Sequence, residues 1–298
     1  MSFASETKEE LCRGELSRRC CAQAEAYGAL LYCNSFSAGG VRIVTESEAF
    51  AARLPQLFQK AFKVRFDRSP AEGERGKRVF LLEDREKLSR LFQTFGYDPR
   101  ESVAHHINFA VLEEEHCRSA FFRGAFLAGG AVTDPAKRYH LELATSHYNV
   151  SREMTALLQE AGFSPKETTR KSNYITYFKQ SEAIEGFLIQ MGAPLAAMGL
   201  MNAKAEKALV GSVNRRVNCE AANLDKAVDA AMDQVMAIRA LERRGILAEL
   251  PEKLRTTAAL RVENPDLTLT QLAALCDPPV TKSCLNHRLR KLVELSRS

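Results

Sequence analysis

Apolar positions in the first 195 residues recur in an order that is written twice. Phe50, Leu54, Leu57, Phe58 and Ala61 fall at helical spacing and predict an amphipathic helix over 48–62. Around it the pattern predicts helices over 3–19, 22–36 and 84–95, a strand over 41–45, and two strands over 63–68 and 77–83. Further on it predicts a helix over 117–130, a strand over 138–145 and a helix over 151–161. A hairpin over 166–170 and 174–179 and a helix over 181–191 complete this stretch. Both passes run helix, strand, helix, strand, strand, helix. Gly28 and Gly124 hold equivalent places 96 residues apart. We read 22–95 and 117–192 as a tandem duplication. A unit repeated only twice points to a pseudo-twofold domain, because a solenoid needs at least about three repeats.

After Pro194 the pattern becomes entirely helical. A small, polar helix is predicted over 200–213 and a longer one over 224–244. In the longer helix Leu224, Val228, Ala231, Val235, Ile238 and Leu241 form one apolar seam, fit to pack within the chain or between chains. Gly245 breaks it. Three short helices fit the last 50 residues: one opened by Pro251, one by Thr268 and one near Thr281. Thr268 and Gln271 have the spacing of a capping box, in which each side chain satisfies a free backbone N–H of the other. The third helix buries Leu285, Leu289 and Leu292. The expected division is therefore 1–195 (repeats), 196–249 (helical connector) and 250–298 (three-helix unit).

The third of these helices carries the candidate chemistry. Ser283, Asn286, His287 and Arg290 lie opposite its leucine stripe, with Lys291 flanking. Asn pairs with adenine edges, Arg with guanine edges, and Lys and Arg hold phosphates. From Pro279 to the end there are five cations (Lys282, Arg288, Arg290, Lys291, Arg297) against one acid, Glu294. The chain as a whole has a formal net charge of only +5, so the placement of charge matters more than its sum. Short helix, tight turn and basic polar-faced helix together make a helix-turn-helix pattern over Thr268 to Leu295. Thr281, Lys282, Ser283, Asn286, His287, Arg288, Arg290 and Lys291 are the expected DNA-binding residues. The alternative is a plain three-helix bundle with a solvated charged face.

Composition narrows the remaining options. The eight cysteines contain no C-x-x-C pair, so neither a zinc site nor a disulfide framework is expected, and the thiols read as reduced core or surface groups. No metal or cofactor is expected. The N-terminal segment mixes acids and bases without an apolar core, and no apolar run approaches the ~20 residues that span a bilayer. A cytoplasmic location without membrane contact follows as an expectation.

The apolar segments at 26–34 and 122–130, the latter Phe-Arg-Gly-Ala-Phe-Leu-Ala-Gly-Gly, resemble the LAGLIDADG helix of homing endonucleases. That resemblance implies two such helices packed along a pseudo-twofold axis, each followed by a DNA-facing β-saddle. In active members the eighth motif position is an acid, and the two acids hold the metal ions that activate water. Here that position falls on Cys33 and Gly129. The implication is a nuclease scaffold without its catalytic acids: no catalytic residues, and not an enzyme.

Taken with 214–226 (Asn-Arg-Arg-Val-Asn-Cys-Glu-Ala-Ala-Asn-Leu-Asp-Lys) and 286–292 (Asn-His-Arg-Leu-Arg-Lys-Leu), the chain resembles the WhiA family over essentially its whole length. Members are DNA-binding regulators of Gram-positive bacteria. The resemblance implies an α+β architecture of tandem LAGLIDADG-like repeats followed by an all-α helix-turn-helix domain. It also implies a nucleoid-associated role in cell division and chromosome segregation, with transcriptional control of sporulation division in actinomycetes. Double-stranded DNA is the expected partner, and RNA polymerase or another transcription regulator a further candidate. Alternatives are a division or segregation scaffold with secondary DNA contact, and a residual metal-dependent endonuclease. Lys63, Arg65, Arg68, Lys77, Arg78, Lys166, Arg170, Lys171 and Lys179 form either a phosphate-binding row or ordinary solvated strand edges. Arg215, Arg216 and Asn218 are candidates for DNA or interdomain contacts.

Overall fold

The computed structural model describes residues 2–71, 73, 74, 76–97 and 104–297. The chain divides into two compact units, Met1–Lys207 and Ala208–Ser298.

The first unit opens with α1 (Phe3–Arg13), which ends at Gly14. The two repeats follow. Repeat one comprises α2 (Arg19–Leu31), β1 (Ser35–Ser37), β2 (Gly40–Thr45), α3 (Glu48–Phe62), β3 (Arg78–Leu82) and α4 (Arg85–Thr94). A 3-10 turn at Phe109–Leu112 leads into repeat two. This contains α5 (Glu115–Gly129), β4 (Gly130–Val132), β5 (Leu141–Thr145), α6 (Tyr148–Glu160), β6 (Lys166–Arg170), β7 (Asn173–Phe178) and α7 (Ser181–Met191). The sheets are antiparallel, with orders β1-β2-β3 and β4-β5-β7-β6. One apolar core, from Leu11 through Phe58 and Phe126 to Leu200, serves both repeats.

The repeats meet along α2 and α5, whose backbones touch. A Cβ on Gly28 would stand 2.2 Å from the carbonyl oxygen of Phe121, and one on Gly124 would stand 1.9 Å from that of Glu25. Each glycine thus sits on the backbone three residues before the other, and only a missing side chain permits the approach. The duplication expected from sequence is therefore a physical symmetry of the core.

The short strand β4 (Gly130–Val132) was not expected from sequence, and four further differences are larger. The helix expected over 3–19 is cut at Gly14, and the next begins at Arg19. The helix expected to run to residue 36 stops at Leu31, because 35–37 instead pairs with β2, Ser35 opposite Arg42 and Ser37 opposite Gly40. The strand expected over 63–68 is reduced to a single bridge between Arg68 and Leu81. Asp67 holds that segment in place of a ladder: its carboxylate accepts the N–H groups of Glu83 and Asp84 and pairs with Lys87. Its counterpart in repeat two, β6, pairs fully with β7. Finally, the two helices expected over 200–213 and 224–244 belong to one continuous helix, α8 (Pro194–Arg243). No proline or paired glycine interrupts it.

In the second unit, a 3-10 turn (Ile246–Glu249) leads from α8 into α9 (Glu252–Glu263), α10 (Leu269–Ala274) and α11 (Lys282–Arg297). Their core is Ile238, Leu241, Ala258, Leu272, Ala273, Cys276, Leu285, Leu289 and Leu292. The seam read from sequence therefore splits: Ile238 and Leu241 are buried, whereas Leu224 and Val228 are exposed.

Candidate nucleic-acid interface and the repeat axis

The second unit positions α11 through two caps and one arginine. Thr268 and Gln271 form the capping box of α10: Gln271 N–H donates to Thr268 Oγ1 at 3.3 Å and Thr268 N–H to Gln271 Oε1 at 3.0 Å. Thr281 opens α11, its Oγ1 accepting the N–H of Cys284 at 3.2 Å. The Ala273 carbonyl accepts the N–H of Val280 at 3.1 Å, closing the turn between the two helices. Before α10, the buried Arg261 donates from Nη1 to the carbonyls of Asn264, Pro265 and Leu267. That fixes the loop leading into the helix pair. Burial holds its guanidinium below the ordinary arginine value.

Leu285, Leu289 and Leu292 of α11 are fully buried, and this sets the face it presents. Thr281, Lys282, Ser283, His287, Arg290 and Lys291 are exposed, while Asn286 and Arg288 are half-buried at the edges. Lys291 lies 3.5 Å from Glu294. One surface thus gathers amide, imidazole, guanidinium and ammonium groups. Arg215, Arg216 and Asn218 lie apart from this surface in sequence, exposed on α8.

At the repeat axis, the two motif positions that carry acids in homing endonucleases are occupied differently. The Cys33 thiol is directed at the carbonyl oxygens of Leu30 (3.1 Å) and Ser35 (3.2 Å), and burial pushes it up to about 12. A Cβ on Gly129 would lie 2.5 Å from the carbonyl oxygen of Ala144 and 3.0 Å from that of Tyr32. Glu25, the acid nearest in sequence on α2, is fully buried and committed to two guanidinium groups, those of Arg53 and Arg123. Arg53 also donates to the carbonyls of Cys12 (3.0 Å) and Gly14 (2.6 Å), tying α1 to this ion cluster.

All eight cysteines are free thiols, as core or surface groups, but they are not all apart from one another. Three of the eight thiols are not isolated: Cys20 and Cys21, in the first turn of α2, face His116 and Cys117, in the first turn of α5. His116 Nδ1 is 3.3 Å from Sγ of both Cys21 and Cys117. Burial, then the neighbouring thiols Cys20 and Cys21, push the Cys117 thiol up to about 12. Ligand spacings of two to four residues do not reveal such a grouping, because its members are adjacent pairs a repeat apart. The 96-residue offset that equates Gly28 with Gly124 also equates 20–21 with 116–117 and was the available signal.

Two repeated α/β halves crossing at glycines, and a capped helix-turn-helix in a separate unit, define a LAGLIDADG-like domain accompanied by a helix-turn-helix fold. A family model described as the WhiA LAGLIDADG-like domain matches residues 118–209, and one described as the WhiA C-terminal HTH domain matches residues 213–296. The "Probable cell division protein WhiA" of Ruminiclostridium cellulolyticum is 35% identical, covering 99% of this chain and 97% of the relative. That of Heliobacterium modesticaldum is 37% identical, covering 100% and 97%. The chain belongs to the WhiA family. Its fold is similar to that of the crystallised full-length DUF199/WhiA protein of Thermotoga maritima, with TM-score 0.60, 22% identity and coverage of 100% and 98%. Among the described residues, no helix is long and apolar enough to cross a membrane.

Proposed function

We propose that this chain is a sequence-specific DNA-binding regulator serving cell division, with α11 as its reading helix. The observation that carries the proposal is the face of α11. Leu285, Leu289 and Leu292 are buried, and the opposite side presents Ser283, Asn286, His287 and Arg290 with Lys282 and Lys291 beside them. This is the residue chemistry for reading base edges and holding phosphates in a major groove. The name carried by its relatives supports the division role, and transcriptional control and chromosome segregation are the processes through which DNA binding would serve it. Duplex DNA is the partner, with RNA polymerase or a second regulator recruited at the bound site, in the cytoplasm at the nucleoid. The reader is 250–298, behind the repeats (1–195) and the helical connector (196–249). Arg215, Arg216 and Asn218 supply secondary contacts to DNA phosphates or across the domain junction.

The repeat domain acts without hydrolysis. Metal-dependent cleavage needs two hard oxygen ligands at the axis, and the two motif positions offer a thiol and a glycine. The test is genome-wide mapping of bound DNA for the wild-type chain and an Asn286→Ala/Arg290→Ala variant, with purified protein and duplex DNA in parallel. The reading predicts discrete wild-type sites that the variant loses. Unchanged site preference in the variant would overturn α11 as the reader. A variant that loses its sites yet keeps normal division would indicate a scaffold role. Mg²⁺-dependent cleavage of the duplex would overturn the non-hydrolytic reading.

A further inference from the structure

The cluster at the N-terminal ends of α2 and α5 belongs to no part of the DNA-reading proposal. Its four ligand atoms, three sulfurs and one imidazole nitrogen, all lie within 4.8 Å of one another. A tetrahedral zinc ion, with Zn–S about 2.3 Å and Zn–N about 2.0–2.1 Å, sets its ligand atoms roughly 3.5–3.8 Å apart. The two 3.3 Å separations at His116 Nδ1 already lie close to that edge length. We propose that Cys20, Cys21, His116 and Cys117 form a structural zinc site that clips the two repeat helices together at their N-terminal ends.

Three features of the site support this. The donor set is soft, three thiols and an imidazole with no carboxylate, which suits zinc and disfavours magnesium or calcium. Both ligand pairs sit in the first turn of a helix, so two helix ends bring the four donor atoms together. Access is graded: Cys20 is exposed, Cys21 and His116 are half-buried and Cys117 is buried, so an ion has a way in and a closed end to the site. Four protein ligands leave no open position for substrate, and the role is therefore structural.

The pairing is symmetric. Positions 20–21 and 116–117 are related by the same offset as Gly28 and Gly124, so each repeat contributes one adjacent pair of ligands. The glycine crossing fixes how closely α2 and α5 approach along their length, and the ion would fix the ends from which they start. Because the ligands come from both repeats, binding favours the assembled domain over the unfolded chain and adds to its stability.

The experiment is elemental analysis of the full-length protein purified without chelator, with Cys20→Ser and Cys117→Ser variants beside it. About one zinc per chain is expected for the wild type. Removing a ligand should weaken binding by more than the roughly 10–100-fold typical of losing an outer partner of a metal site. Chelation should lower the thermal midpoint of the wild type, and added zinc should restore it. Cobalt substitution should give the charge-transfer and ligand-field absorption of a tetrahedral thiolate site. If Cys117→Ser fails to fold, the exposed Cys20→Ser carries the test. A metal-free wild type that gains none on zinc addition would overturn the proposal. So would equal zinc content in wild type and Cys20→Ser, or a disulfide between Cys117 and Cys20 or Cys21 in protein handled under reducing conditions.

Discussion

Glu25 and Arg53 form a two-point ion pair across α2 and α3: Nε lies 2.5 Å from Oε1 and Nη2 lies 2.9 Å from Oε2, with both side chains buried. Removing one member leaves the other charged and partly unpaired in the interior. Arg53→Ala should therefore destabilise the first unit by about 3–5 kcal/mol. It also frees the carbonyls of Cys12 and Gly14, so α1 should loosen first. Denaturant unfolding measures the total, and amide exchange on α1 measures the local effect. A loss under about 1 kcal/mol would show that Arg123 suffices to hold Glu25.

Gly124 is the tighter of the two crossing glycines. Adding one methyl group there puts a carbon 1.9 Å from a main-chain oxygen that has no rotamer with which to move aside. Gly124→Ala should cost about 1–3 kcal/mol or more, as overpacking does. A thermal midpoint equal to that of the wild type would mean that α2 and α5 can separate without loss.

His105 and His147 meet edge to face, with ring centroids 4.5 Å apart. Burial, and then the neighbouring His105, holds His147 down to about 4 from the usual 6.5; burial likewise lowers His105. The His105 Nε2–H bond to the Phe36 carbonyl and the His106 ring nearby bear on His105 in opposite directions. A histidine lowered in the folded state leaves the unfolded chain binding more protons at intermediate pH. Its contribution to stability is thus fully present above about 6.5 and is lost as pH falls toward about 4. Denaturant midpoints across that window should drop for the wild type and drop less for His147→Phe. Equal slopes would refute the assignment.

On α11, the two kinds of contact should separate experimentally. Arg290→Ala or Asn286→Ala should cost about 1–3 kcal/mol on the preferred duplex and little on random sequence, since a base contact is lost. Lys282→Ala should weaken binding to all sequences and reduce the salt slope by about one. Fluorescence anisotropy titrations at several salt concentrations distinguish them. Equal losses on specific and random duplexes for Arg290→Ala would place it on phosphate instead.

Thr268→Ala removes one half of the capping box at α10. About 1 kcal/mol of stability should go with it, read from chemical unfolding of the full chain. Unchanged stability would mean that Arg261, which holds the loop just before the cap, fixes that helix end alone.

Local chemistry was legible in the sequence, and long-range pairing was not. The capping box at Thr268, the cap at Thr281 and the buried stripe Leu285-Leu289-Leu292 depend on residues three or four apart, and the structure forms each of them. The duplication was legible because two copies of the same local pattern reinforce one another. The missing first strand of the hairpin at 63–68 was not, because Asp67 competes with the ladder through partners 16 to 20 residues away. Nor was α8 read as unbroken, although Val210, Val213, Val217, Ala221, Leu224 and Val228 carry the apolar spacing of three and four residues straight through its exposed middle. The partnership of Glu25 with Arg53 and the cysteine–histidine cluster depend on which helices lie side by side. Only the cluster left a trace in the chain, through the repeat offset.

The crowding at Gly129 bears on how this lineage can change. An acidic side chain introduced there would bring its first carbon into the main chain of β5 at Ala144. The strand would have to shift before the new carboxylate could stand where homing endonucleases keep theirs. Evolution proceeding one substitution at a time would cross a stability deficit before any benefit could arise. Neighbouring packing, and not the missing carboxylate alone, separates this axis from that of the homing endonucleases.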